Sequence, residues 1–298
     1  RRRPAGFTLP ELLIALACAS VLWAVVAAVA LRQQRLFAEL ADNAAMTGRL
    51  REVIATLPID LRAVSPAAGD IRDARDTSLE IRGTIASAVV CDTVGGVSGR
   101  SAILGPAAAG AETYAALLTP IAAGDTVWVL DARDTVERWI PRQVTSVSTT
   151  TISRCAAGGP VVSGTSFAAT SLALDTLAPA RAGSVIRVTR PLRYSLYKSS
   201  DGSWQLGARD WNTATSRFNT IQPLAGPLLP ASGRGLVFSY FDSGGVAIAN
   251  PDAPSSGLAL IQIAARAKAG VPTRVLGAKD AVRREDSLDA AVFLHNRR

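Results

Sequence analysis

The sequence predicts an α+β chain in which one long N-terminal helix packs on a mainly antiparallel β head. Three observations carry this reading. A charge-free apolar run extends from Leu12 to Leu31, an apolar period of three and four residues continues it to Val64, and beyond residue 66 the pattern changes to alternating segments rich in breakers.

The apolar run is long enough to cross a membrane, since about 20 helical residues at roughly 1.5 Å each span a hydrocarbon core of about 30 Å. A removed secretory signal would have an apolar core of only about 7–15 residues ending in small ones. Here the run is longer and passes directly into Arg32-Gln33-Gln34-Arg35. Arg1, Arg2 and Arg3 precede it, and positive charge on that side favours a cytoplasmic N-terminus and an exported remainder. The period then continues through Leu36, Leu40, Leu50, Val53, Ile54, Leu57, Leu61 and Val64, with Arg35, Glu39, Asp42, Arg49, Arg51 and Arg62 falling largely between them. Pro58 is a candidate kink, and Ser65-Pro66 ends the pattern because a residue before proline is pushed away from helical geometry. The expected organisation is therefore a leader at residues 1–6, a helix at 7–65 and a head at 66–298. Within the helix, about 12–31 would span the membrane and 32–65 would be amphipathic.

In the head, Ser78 to Ile85, Asp125 to Leu130, Gln143 to Ile152, Val185 to Thr189, Leu192 to Tyr197, Leu236 to Phe241 and Leu258 to Ala264 alternate as half-buried strands should. Asp201-Gly202 is a hairpin turn signal, and Ser243-Gly244-Gly245 is a weaker one. Gly95 to Gly110 and Asn250 to Gly257 are expected as surface loops. About 230 residues suffice for one large domain or two lobes.

Around the start of the apolar run stands Gly6-Phe7-Thr8-Leu9-Pro10-Glu11-Leu12-Leu13. With the basic residues before it and the span after it, this stretch resembles the processing and assembly signal of type IV pilins and of type II secretion pseudopilins. An acid inside a spanning segment costs about 2.5–3.5 kcal/mol at mid-helix, less near an end, and calls for a partner. Cleavage between Gly6 and Phe7 would supply one, because the freed amine of Phe7 lies about one helical turn before Glu11 and is largely cationic at neutral pH. The resemblance implies that a prepilin peptidase cuts after Gly6 and methylates Phe7, and that Glu11 guides docking into a filament. Pro10 departs from the aliphatic residue usual at its position, but proline is tolerated in a first helical turn. The strand Gly235 to Asp242, the glycine turn, the strand Leu258 to Arg266 and the close Val292 to Arg297 are similar to the end of W-type minor pilins and J-type minor pseudopilins.

The resemblance implies no enzyme and no cofactor. It implies a pilin-like subunit, anchored by a single pass in a bacterial inner membrane with its head in the periplasm, or in a filament at the cell surface after assembly. Its partners would be other pilins or pseudopilins, the prepilin peptidase and an inner-membrane assembly platform, and its place would be that of an initiating or tip subunit of a pilus or pseudopilus.

Chemistry-bearing residues are sparse. The only histidine, His295, removes histidine-based triads and multi-histidine metal centres. Gly95-Gly96 and Gly158-Gly159 read as turns and not as phosphate loops, and no small-molecule substrate is indicated. Asp131, Asp134 and Glu137 lack the order of an EF-hand calcium loop and read as solvated charges, so no metal site is assigned. Cys18 lies in the span, whereas Cys91 and Cys155 fall in the head. In an oxidising compartment these two can form a disulfide, and two unpaired thiols are the alternative. Formal net charge is +8, and removal of the three leader arginines leaves 8 − 3 = +5. Arg187, Arg190 and Arg193, beside Tyr194 and Tyr197, are the nearest approach to a basic stripe. They make a tip adhesin or a DNA-binding receptor the alternative function, although an exposed strand with solvated arginines is the preferred account of them, and nucleic acid is not the favoured partner.

Overall fold

A computed structural model describes residues 9–94, 100–105, 115–131, 138–152, 155, 166–176, 180–253, 256–272 and 282–294. Helix α1 runs Leu9–Leu61. The strands that follow are β1 (Ile71–Ala74), β2 (Ser78–Val94), β3 (Ser101–Leu104), β4 (Ala115–Leu117), β5 (Thr126–Asp131), β6 (Arg138–Ile152) and β7 (Phe167–Leu174). After them come β8 (Val185–Lys198), β9 (Trp204–Asn212), β10 (Arg217–Phe218), β11 (Gln222–Leu228), β12 (Leu236–Phe241), β13 (Leu260–Lys268) and β14 (Glu285–Phe293). The result is one long apolar helix followed by a mostly antiparallel β head. The chain divides into two compact units, Arg1–Arg49 with Ala267–Asp286, and Leu50–Arg266 with Ser287–Arg298.

In the first unit α1 is exposed along its apolar segment. Leu22 is 67% exposed and Trp23 73%, and farther on Leu36, Phe37 and Leu40 still face outward. Asp42 holds the chain after β13 by accepting from the Val271 amide at 2.8 Å. Lys268 pairs with Glu285 at 3.0 Å.

The second unit buries the end of the helix. Leu50, Val53, Leu57, Leu61 and Val64 recur at three- and four-residue steps and are almost wholly excluded from solvent, the stripe expected of a helix with one face on a core. Burial begins later than the period predicts, because Leu36 and Leu40 belong to the same sequence pattern but stay exposed.

Eleven strands of the head form one hydrogen-bonded network, and six of them close on themselves. Proceeding around the ring, β2 pairs β3, β3 pairs β7, β7 pairs β6, β6 pairs β5 and β5 pairs β8. The ring shuts because β8 pairs back onto β2 from Ser78↔Ser195 to Val89↔Val185. Alternate residues point inward, and Val90, Leu104, Val127, Val129, Val144, Leu172, Ile186 and Val188 fill the interior with Ala86, Ala88 and Ala102. Small residues among larger ones suit so narrow a barrel. A register shift between Thr84 and Ala86 divides the long strand β2. Its later half belongs to the barrel, and its earlier half lies between β1 and β8.

The β8–β9 hairpin turns at Asp201-Gly202, where Gly202 has φ of 86° and meets the left-handed conformation that such a turn requires. The turn at Ser243-Gly244-Gly245 closes with a bridge between Phe241 and Ala247, and the Asp242 carboxylate accepts from the Gly244 and Val246 amides. Strands β12 and β13 pair antiparallel from Leu236↔Ala265 to Phe241↔Leu260.

Several expectations need correction. The segments Val185 to Thr189 and Leu192 to Tyr197 are one strand, continuous through Pro191. The loop expected at Gly95 to Gly110 contains β3, which pairs on both edges inside the barrel. Strands β1, β4, β7, β10, β11 and β14 have no counterpart among the expected segments.

Candidate assembly site

Helix α1 opens with Leu9, Pro10 and Glu11, and Glu11 is the acid of its first turn. Pro10 costs nothing there, because the first amides of a helix have no intrahelical acceptor. From this turn onward the helix offers a long apolar surface, with none of its most apolar 18-residue window buried. Length and composition allow it to cross a membrane. Cys18 lies on this exposed segment as a free thiol. Gly6 and Phe7, expected as the processing and methylation positions, lie outside the described residues.

The three arginines of β8 are placed differently from a ligand stripe. Arg187 donates to both carboxylate oxygens of Asp70, at 3.1 and 2.9 Å, and to the Ala63 carbonyl at 3.1 Å. Asp70 is completely buried and also accepts from the Ser65 amide at 2.8 Å. Burial pushes its carboxyl above the usual value, and the adjacent guanidinium of Arg187 opposes that rise. Arg190 holds Asp125 with two hydrogen bonds of 2.7 Å and donates a third to the Pro120 carbonyl. Its hydrogen bonds to Asp125 raise the guanidinium above its ordinary value. Arg193 donates to Glu80 at 3.0 and 2.5 Å and stacks over Phe218 at 4.8 Å.

Each of the three cations is therefore matched by a carboxylate of a neighbouring segment. Arg190 meets Asp125 in a bidentate pair, and all three pairs occupy guanidinium donors that a phosphate would need. The three arginines of the candidate ligand patch are thus placed in ion pairs with Asp70, Asp125 and Glu80. The sequence could not show this, since Arg187 and Asp70 are 117 positions apart and Arg193 and Glu80 are 113 apart.

Around Arg187 the pairing extends into a stack. The guanidinium lies 5.9 Å from the ring centres of both Trp128 and Trp139, and Arg82 covers Trp128 at 5.2 Å. Two tyrosines whose roles sequence reasoning missed tie the head together. Tyr194 donates to the Asp60 carboxylate at the end of α1, and Tyr240 donates to the Arg75 carbonyl at 2.8 Å. Burial raises both phenols well above their usual range.

Cys91, on β2, is joined to Cys155 by a disulfide with Cα atoms 4.6 Å apart. Asp131 ends β5, whereas Asp134, Glu137 and His295 lie outside the described residues. Among the described residues no group of three His, Cys, Asp or Glu side chains is placed to hold a metal ion.

Residues 1–30 match the family model described as the prokaryotic N-terminal methylation motif. The chain thus carries the signature of type IV pilins and pseudopilins, on a helix that fits a membrane anchor and ahead of a pilin-like α+β arrangement. No curated protein and no solved structure matches it.

Proposed function

We propose that the protein is a minor pilin or pseudopilin, a structural subunit and not an enzyme, of a type IV pilus or a type II secretion pseudopilus. The observation that carries this reading is the methylation motif at residues 1–30, placed on a helix whose most apolar window is not covered by any of the described residues. Such a surface is stable only in lipid or against other helices. In this proposal the leader of residues 1–6 lies in the cytoplasm, the helix crosses the inner membrane and the head occupies the periplasm. Prepilin peptidase cuts between Gly6 and Phe7 and methylates Phe7. The mature helix then leaves an assembly platform for the filament, packing on other pilins by heterologous contacts repeated along an open helix. Glu11 selects the register by pairing with an N-terminal amine, in its own chain or a neighbour's. The resemblance of the head to W-type and J-type subunits, carried by the β12–β13 hairpin, favours an initiating or tip position. A tip adhesin or nucleic-acid receptor is the weaker alternative, because the basic residues proposed for recognition are already paired.

N-terminal sequencing of protein from its native membrane tests the proposal, and the expected first residue is Phe7. A chain beginning at Arg1, or downstream of Ala30, would overturn it. Gly6→Val should keep the leader attached. Glu11→Val should leave processing intact while abolishing incorporation into filaments, as read by shearing and immunoblotting.

A further inference from the structure

Two adjoining cavities flank one ridge on the head, formed by Leu118 and Thr119. On one side lies a cavity of about 360 Å³ whose wall includes Asp60, Arg190, Asp210 and Trp211. On the other lies a cavity of about 300 Å³, lined mainly by the aliphatic residues Leu117, Pro120, Ile121 and Val147, with Thr170 beside them. The ridge itself projects, since Leu118 is 77% exposed. All of these residues belong to the second unit.

The charges in the first cavity do not cancel. Its one cation, Arg190, is held by both oxygens of Asp125 and by the Pro120 carbonyl. Asp60 uses one oxygen to accept from Tyr194. The Asp210 backbone is occupied in strand pairing and in accepting from the Asn219 amide, while its exposed side chain makes no hydrogen bond or salt bridge with a described residue. Arg190 is thus paired with Asp125 outside the cavity lining, and the carboxylates of Asp60 and Asp210 both line the open space beside it. Such a wall repels phosphate and attracts a cation, and the half-buried indole of Trp211 beside it favours a cation further. Immediately across Leu118 the surface changes to aliphatic, with room for one or two side chains.

We infer that this double cleft docks an extended segment of a partner protein that carries a basic side chain next to an aliphatic one. The basic group enters between Asp60 and Asp210, and its aliphatic neighbour fills the space beside Leu118 and Val147. Charge complementarity selects the partner, and the apolar cavity contributes contact area and register. The inference stands apart from the reading of the N-terminal helix, because no residue of the methylation motif takes part in it.

The test uses the full chain in lipid nanodiscs and a fluorescein-labelled, C-amidated peptide Gly-Leu-Arg-Val-Ser-Gly, with fluorescence anisotropy as the readout. The peptide should bind, and replacing its Arg by Glu should weaken binding at least about tenfold. Affinity should fall between about 50 and about 500 mM NaCl, as screening requires of an exposed charge pair. Asp210→Asn, a change at an exposed carboxylate, should weaken binding about tenfold, and Leu118→Ser should weaken it severalfold. Asp252→Asn, an exposed change elsewhere in the head, should leave it unaltered. Equal affinity for the Arg and Glu peptides, full affinity in Asp210→Asn, or no binding at about millimolar peptide would overturn the inference. Displacement of the peptide by maltohexaose would also overturn it and assign the Trp211 cavity to sugars. None of these readouts involves processing or assembly, so a failure here is separable from a failure of the pilin reading.

Discussion

Arg187 shows how much one side chain of β8 holds in place. It neutralises the buried Asp70, ties down the Ala63 carbonyl just past the helix and lies against the rings of Trp128 and Trp139. Removing one member of a buried ion pair costs about 3–5 kcal/mol, because the other is left charged and dry. Arg187→Ala should therefore lower the unfolding free energy of the head by about that amount, as read from urea titration followed by tryptophan fluorescence. Asp70→Asn combined with Arg187→Met should recover a large part of the loss. The pH dependence has a definite sign. The Asp70 carboxyl is already pushed above its usual value in the fold. A folded pKa raised above the unfolded one means that stability is present below the unfolded value and is lost as pH rises through the folded one. Loss of Arg187 pushes that carboxyl higher, so Arg187→Ala should be relatively more stable in acid than at neutral pH. The buried phenols of Tyr194 and Tyr240 obey the same rule at the alkaline end. Their raised values make the head lose stability as pH rises above about 10, the usual phenol value. Tyr194→Phe should flatten that limb of the stability curve while costing about 1.5–3 kcal/mol at neutral pH, the range for a hydrogen bond to a charged group.

At the scale of elements, legibility in the sequence follows the range of the interactions. The helix is legible because its period and its terminating Ser65-Pro66 are local, and the described helix ends at Leu61. The start of burial at Met46 is not legible, since residues facing lipid or other helices and residues facing the head are equally apolar. Strands with clear alternation, such as Leu236 to Phe241, are readable. Strand β7, with its run of Ala, Thr and Ser, is not, because small residues that fit a narrow barrel look like loop composition. Glycine at 235 is another position whose meaning depends on packing. A Cβ there would fall on the Leu229 carbonyl, at the tight turn that leads into β12. Gly235→Ala should therefore cost about 3 kcal/mol or more. Gly233→Ala in the same turn, where the nearest atom is a Leu229 side-chain carbon at 3.3 Å, should cost much less. Urea midpoints of the two variants, measured side by side, check the contrast.

At the scale of the whole molecule, the barrel is an elaboration carried between two long strands. β2 leaves the sheet that holds β1 and β9, continues past its register shift into the barrel, and the chain returns along β8. The sequence marks four of the six ring strands, β2, β5, β6 and β8, but neither β3 and β7 nor this closure. Pairing of β8 with both β2 and β5 joins residues far apart in the chain, and hydrophobic alternation fixes only which face is buried. A ring closed over such distances is entropically expensive to form. The Cys91–Cys155 disulfide restrains the same stretch of chain, linking β2 to the segment beyond β6 across a separation of 64 residues. In the chain-entropy model a loop of that length is worth roughly 4 kcal/mol, chiefly by limiting the unfolded chain. Cys91→Ser with Cys155→Ser should therefore lower the urea midpoint of the head by an amount approaching that figure. The effect should concentrate in the barrel, with hydrogen exchange accelerated at the interior positions Val90, Leu104 and Leu172 before it rises at Val53 and Leu57 near the end of the helix. Uniform acceleration in the barrel and in the helix end would show instead that the head unfolds as one cooperative unit and that the disulfide stabilises all of it equally.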